Sequence, residues 1–166
     1  MPDPPTSTEQ NSPPPPSFLT RCIATGFFSG YSPVIPGTAG SLVGLLVYTI
    51  PGLENVVALA IAVAVGFCIG VLTSRKMEQQ YGEDPQIVVI DEVVGMWISL
   101  FMLQKTLMIG VCAFVLFRIY DTVKPPPARQ LERYKHGWGI MLDDVAAGIY
   151  ANLTVRLLLL LFPGIA

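Results

Sequence analysis

Asn55-Val-Val-Ala-Leu-Ala-Ile-Ala-Val-Ala-Val-Gly-Phe-Cys-Ile-Gly-Val-Leu-Thr-Ser74 runs for 20 residues without a charge. About 20 apolar residues in helical form cross a hydrocarbon core of roughly 30 Å, so this stretch predicts a membrane-spanning helix. Its neighbours are shorter or interrupted. Residues 37–50 are uncharged but too few to cross alone, and 87–103 are apolar apart from Asp91 and Glu92. Residues 106–120 are apolar until Arg118, and 145–162 are broken by Asn152 and Arg156. Open sheets cannot face lipid, so helices are expected throughout: an all-α, compact bundle of four or five helices, some short or broken. Two Gly-xxx-Gly spacings, Gly40/Gly44 and Gly66/Gly70, suit close helix packing.

The composition agrees. Of 166 residues, 52% are hydrophobic and 13% charged, about half the charge of a typical soluble domain, and mean hydropathy is +0.56. A net charge of -2 excludes a nucleic-acid binder, which needs a basic stripe. Cys22, Cys68 and Cys112 are odd in number and widely spaced, neither a disulfide framework nor a zinc site. Residues 1–17 carry Pro13–Pro16 and three further prolines among polar residues. They are expected to be a disordered tail ahead of one helical membrane domain, 18–166. No feature points to a protein partner.

Charge sets the orientation. Loop 51–54 has no Lys or Arg and 104–105 has only Lys105, whereas Arg75, Lys76, Arg118, Lys124, Arg129, Arg133 and Lys135 fall in 75–86 and 118–144. Basic loops stay in the cytoplasm, so the latter two face inward. With that orientation Asp91, Glu92, Asp121, Asp143, Asp144 and the Gly37-Thr38-Ala39-Gly40-Ser41 turn converge on the cytoplasmic level. Acids beside membrane spans suggest function. Packed together they repel and take up protons unless a cation neutralises them, and oxygen ligands without His or Cys suit Mg²⁺ or Mn²⁺. Adjacent helical residues point about 100° apart, so neither Asp91/Glu92 nor Asp143/Asp144 is expected to offer both members to one ion. Alternatively, Asp143 caps the last helix and Asp91 or Glu92 pairs with Arg118.

Gly37, Thr38 and Gly40 open a helix whose N–H groups suit a phosphate, though a plain cap explains them as well. Lys124 and Arg118 either pair with phosphate oxygens or snorkel to the interface. Cys112 and Arg118 have the spacing of a cysteine phosphatase, but Ala-Phe-Val-Leu-Phe between them cannot cradle a phosphate. His136 is the only histidine, which excludes mechanisms needing two. A transporter predicts acids spread through the membrane depth, and a CDP-alcohol phosphotransferase an Asp-Gly-x-x-Ala-Arg signature that is absent.

Three long motifs add a resemblance. Ile90-Asp-Glu-Val-Val-Gly-Met-Trp97, Phe117-Arg-Ile-Tyr-Asp-Thr-Val-Lys-Pro125 and Gly137-Trp-Gly-Ile-Met-Leu-Asp-Asp-Val-Ala-Ala-Gly-Ile-Tyr-Ala-Asn152, with Pro36–Ser41 before them, resemble the phosphatidylglycerophosphatase A family from about Phe18 to Leu157. The resemblance implies an all-helical, multi-pass enzyme of the bacterial inner membrane whose site faces the cytoplasm. Such an enzyme hydrolyses phosphatidylglycerophosphate to phosphatidylglycerol and inorganic phosphate with Mg²⁺, in phosphatidylglycerol biosynthesis. It carries Asp91, Glu92, Asp121, Lys124, Asp143 and Asp144 over as site positions. Joined with the residue reading, it predicts Glu92, Asp143 and Asp144 on the metal and Asp91 or Asp121 as base. Gly37, Thr38, Gly40, Arg118 and Lys124 are expected on the phosphate. His136 stands where that family often has another glycine.

Overall fold

The computed structural model describes residues 14–162. The expected disordered tail therefore lies outside the described residues up to position 13, and Ser17 already caps the first helix. Among the described residues there are seven α-helices and no strand: α1 (Phe18–Ala24), α2 (Pro36–Tyr48), α3 (Val56–Tyr81), α4 (Ile90–Ser99), α5 (Leu107–Val123), α6 (Ala128–Leu131) and α7 (Trp138–Leu161), with one 3-10 turn at Ser29–Tyr31. The five apolar runs become α2, α3, α4, α5 and α7. α3 and α7 are long and apolar enough to cross a membrane, and α2 is a shorter apolar helix.

Capping chemistry sets several boundaries. Asn55 Oδ1 accepts from the Val57 and Ala58 N–H groups at 2.9 and 3.1 Å and starts α3. Thr106 does the same for Ile109 on α5, filling N–H groups that the first turn leaves without partners. α7 begins seven residues ahead of the expected Val145, with Gly137 as its cap at φ 78°. Asp143 and Asp144 thus sit on the second turn, and Asp143 does not cap the helix. The preceding residue, His136, is also left-handed (φ 65°), a conformation glycine adopts without strain.

α4 is the hub, packed against α2, α3, α5 and α7. It holds its neighbours close because they meet it with glycines. A Cβ on Gly40 would lie 2.6 Å from Val89 Cβ, and one on Gly44 2.9 Å from the Val93 carbonyl. The tightest crossing is with α7, where a Cβ on Gly148 would sit 2.5 Å from the Gly95 carbonyl oxygen. A Cβ on Gly95 would be 3.0 Å from the Asp144 carbonyl oxygen. Gly95 lies one turn after Asp91 and Gly148 one turn after Asp144, so the backbone contact that needs glycine brings the acids together one turn away.

The two polar residues interrupting the α7 run belong to this packing. Asn152 Nδ2 donates to the Ser99 and Phe101 carbonyls at 3.0 and 2.9 Å. Arg156 donates to Phe101 and Met102, satisfying carbonyls that the end of α4 leaves open. Around them Tyr48, Leu59, Met96, Ile109, Phe117 and Val155 form one buried cluster, and Val71, Met77, Val94 and Met141 form a second. Lys105 reaches Glu54 at 3.0 Å, and Lys135 reaches Glu83 at 2.9 Å. Loops 51–54 and 104–105 therefore share one end of the bundle, and the basic loops share another pairing.

Candidate active site

Five chain segments wall a cavity of about 340 Å³: residues 34–38 at the start of α2, the 84–88 loop, the first turn of α4, the end of α5, and the second turn of α7. Asp91, Glu92, Arg118, Asp121, Lys124, Asp143, Asp144, Gly37 and Thr38 all line it. Gly40 does not; it packs against Val89.

The acids divide into distinct environments. One carboxylate oxygen from each of Asp91, Glu92 and Asp144 lies within 4.8 Å of the other two. Asp91 Oδ1, Glu92 Oε2 and Asp144 Oδ2 are buried with no hydrogen-bond partner, and Asp144 as a residue is only 2% exposed. Two charges 4.8 Å apart repel by about 3.5 kcal/mol at an effective dielectric of roughly 20. Three ionised carboxylates would carry that cost three times, and Asp121 and Asp143 in the same cavity add to it; of the three, Arg118 pairs with Glu92, at 3.9 Å. Orphaned oxygens and uncompensated repulsion together fit a hard cation held between these three side chains. Asp91 and Glu92 both reach the cluster despite the 100° between them, since the extra methylene of Glu92 lets it swing back toward Asp91.

Asp143 and Asp144 separate as adjacent helical residues should. Asp143 Oδ2 sits 2.7 Å from Lys124 Nζ, and its Oδ1 accepts from the Asp144 N–H at 3.0 Å. Lys124 closes α5 in the left-handed region (φ 47°), and its ammonium also meets Glu132 at 2.9 Å. Burial alone would lower its pKa, but the bonds to Asp143 and Glu132 outweigh that and raise it, so Lys124 stays protonated. Asp84, in the loop before α4, is pushed up by burial, with Lys124 opposing and Glu132 and Asp121 adding to the rise.

On the α2 side Arg118 Nη1 pairs with Asp121 at 2.7 Å and donates to Ser41 Oγ at 3.3 Å. A Cβ on Gly37 would fall 2.3 Å from Glu92 Oε1 and 3.1 Å from both terminal nitrogens of Arg118, so a side chain there would push both groups from their present positions. Pro36 is the first residue of α2, and the Gly37 and Thr38 N–H groups precede the first helical bond from Ala39 to Ile35. Both residues line the cavity, and their N–H groups have no intrahelical partners. Cys112 lies in the middle of a continuous α5, so no phosphate loop joins it to Arg118.

Sequence reasoning passed over Asp84, Glu132, Gly95 and Gly148. Asp84 sits in a loop with no periodic context, and Glu132 closes the four-residue α6, which is too short to show a period. The glycines lie in quoted motifs, but in different helices, so no spacing within one helix marks them.

The arrangement offers a cation cradle, two cationic side chains and a helix N-terminus within one cavity, a set suited to a phosphoryl group. The phosphatidylglycerophosphatase A family profile matches residues 22–159. A protein of Escherichia coli (strain K12) named phosphatidylglycerophosphatase A is 40% identical over 130 residues, 76% of this chain and 76% of that protein. Its Haemophilus influenzae namesake is 38% identical over 137 residues, 80% of this chain and 84% of that one. A Bacteroides thetaiotaomicron protein, provisionally named a phosphatidylinositol-3-phosphatase, is 40% identical over 148 residues, covering 84% and 93%. No solved structure matches. A profile spanning nearly the whole helical region, with relatives at this identity, settles the lineage: the chain belongs to the phosphatidylglycerophosphatase A family of phosphoric monoester hydrolases.

Proposed function

We propose that this protein hydrolyses the terminal phosphate of phosphatidylglycerophosphate, releasing phosphatidylglycerol and inorganic phosphate, with Mg²⁺ held by Asp91, Glu92 and Asp144. The observation carrying the metal assignment is the trio of mutually close carboxylates with buried, unpartnered oxygens. When bound, Mg²⁺ neutralises phosphate charge and acidifies a coordinated water.

The chain's own groups do the rest. Arg118, Lys124 and the first N–H groups of α2 hold the phosphate oxygens and stabilise the charge that grows on them. Asp121, tied to Arg118 through Oδ2, keeps Oδ1 for the proton of an attacking water. The water oxygen bonds to phosphorus, the bond to the glycerol oxygen breaks, and that oxygen takes up a proton from solvent as it leaves, while Asp121 returns to solvent the proton it accepted. Asp143 and Glu132 fix the Lys124 ammonium between them and keep it charged.

We further place the chain across a membrane, with the cavity at the cytoplasmic face. Only 22% of the apolar window of α3 and 33% of that of α7 are buried within the protein, whereas the core helix of a water-soluble protein is mostly covered. Val57, Ile61, Val65 and Leu72 on α3, and Leu153, Leu157 and Leu160 on α7, are left exposed by the protein, apolar side chains that lipid would cover. The basic loops lie at the cavity end, as expected for a cytoplasmic face; in a bacterium that membrane is the inner one.

The Bacteroides relative favours testing a second lipid monoester. Purified protein in detergent should release phosphate from phosphatidylglycerophosphate in the presence of Mg²⁺ and stop on addition of EDTA. Faster release from phosphatidylinositol 3-phosphate would reassign the substrate, and release that survives EDTA would remove the metal.

A further inference from the structure

The rim of the cavity changes character from one part to another. The residues just ahead of α2, Val34 and Ile35, line the cavity yet are 79% and 54% exposed. Phe27, Phe28 and Tyr31, earlier in the same segment, are exposed as well. The cavity also shares Asp84 and Asp143 with a second cavity of about 510 Å³, whose further walls include Arg75, Glu83, Arg133 and Lys135. Part of the rim is therefore bare aliphatic side chain, and another part continues into charge. A ligand matching both has an anionic head and an apolar body.

Spacing ties the two ends together. Val34 and Ile35 precede Gly37 by three and two residues, and one residue spans at most about 3.6 Å. The aliphatic lip is thus within roughly 11 Å of the backbone that abuts Glu92 and Arg118. A phosphate seated at Arg118 leaves the rest of its molecule at that lip.

We propose that Val34 and Ile35 are the docking lip for the acyl region of the substrate lipid, so that the phosphomonoester reaches Arg118 and Lys124 sideways from the surrounding leaflet while the chains stay on the aliphatic side. The proposal rests on the lipid-phosphatase reading and adds the surface that selects a diacyl substrate. The occupant is the lipid rather than a second copy of the chain. The lip is continuous with the cavity, and a protein seated on it would close the mouth through which a lipid-borne phosphate must pass.

The test is a ratio. Phosphate release is measured on long-chain phosphatidylglycerophosphate in phosphatidylcholine mixed micelles and on its dibutyryl analogue free in solution. The unaltered full-length protein is compared with Val34→Asp/Ile35→Asp and with the neutral Val34→Asn/Ile35→Asn. The long-chain to short-chain ratio of kcat/KM should fall about tenfold or more in the acidic pair, and by a smaller factor in the neutral pair, as aliphatic contact is lost. Because partial unfolding lowers both substrates together, the ratio reports the lip alone. An unchanged ratio in both variants overturns the proposal, as does a ratio that falls only when the variants change oligomeric state by light scattering, which would make the lip a subunit interface. No phosphate release by the unaltered protein from either substrate would instead sink the phosphatase reading beneath it.

Discussion

Gly148→Ala isolates the crossing that sets the site. The added methyl would begin 2.5 Å from the Gly95 carbonyl oxygen, whereas carbon and oxygen rest no closer than about 3.3 Å. α4 and α7 must part by roughly 0.8 Å, the difference of those two distances, one turn from Asp91 and Asp144. Overpacking of this kind costs about 1–3 kcal/mol, but alanine in a helix interior regains about 1 kcal/mol over glycine. The net change in stability is therefore only ~0–2 kcal/mol, and thermal unfolding in detergent should fall by no more than about 8 °C. Activity is more sensitive, because a displacement near 1 Å in reacting groups costs about 100-fold. Initial rates of phosphate release across a Mg²⁺ series should show kcat down by roughly 30–100-fold and a raised half-saturating Mg²⁺. Gly110→Ala is the matched control, since its methyl would meet only Leu45 Cδ1, at 3.4 Å, and its kcat should stay within twofold. If Gly148→Ala is as active as Gly110→Ala, the crossing does not position the carboxylates and the reasoning fails.

Glu92→Gln and Asp144→Asn each remove one charge from the cradle and should lower kcat by about 10³-fold while raising the Mg²⁺ requirement, measured by the same phosphate assay. Saturating Mg²⁺ should raise the unfolding temperature of the EDTA-treated protein, as expected for about 2.7 kcal/mol at 100 times the dissociation constant; a metal-independent melting curve counts against the site. Asn152→Leu leaves the Ser99 carbonyl without its donor and Arg156 without the Asn152 acceptor, while Phe101 keeps Arg156; an unpaired buried polar group costs about 1–3 kcal/mol, so its melting temperature should drop below that of the unaltered protein. Cys112→Ala should release phosphate within twofold of the starting rate; a large loss would revive thiol chemistry.

Much of the fold was legible because the apolar runs are long, and uncharged runs of that length favour helix. The errors fall where apolarity stops being the deciding property. α3 runs on through Arg75 and Lys76 to Tyr81 because helix hydrogen bonding does not require apolar side chains, and Gly82 ends it. α7 starts at Trp138, since glycine and two aspartates do not forbid a helix that is packed on both sides. α1, seven residues capped by Ser17, is too short to show a period. In the site, the convergence of Asp91, Glu92, Asp121 and Asp144 could be read from level alone. The direction each side chain takes could not. That Asp143 turns to Lys124 depends on the α5 terminus and Glu132, elements whose relative placement only the packed bundle fixes.

The brevity of α4 bears on how the protein is made. Ten residues rise about 15 Å, half of what a bilayer demands, and the far end of that helix borrows its hydrogen-bond donors from Asn152 and Arg156, more than fifty residues downstream. In the bilayer setting proposed above, the segment would not be stable in lipid when it leaves the ribosome. It would wait at the translocon or the interface until the last helix arrives to receive it. Chains truncated before Asn152 would then be degraded rather than accumulate as shorter enzymes, and biogenesis would commit only once the C-terminal helix is complete.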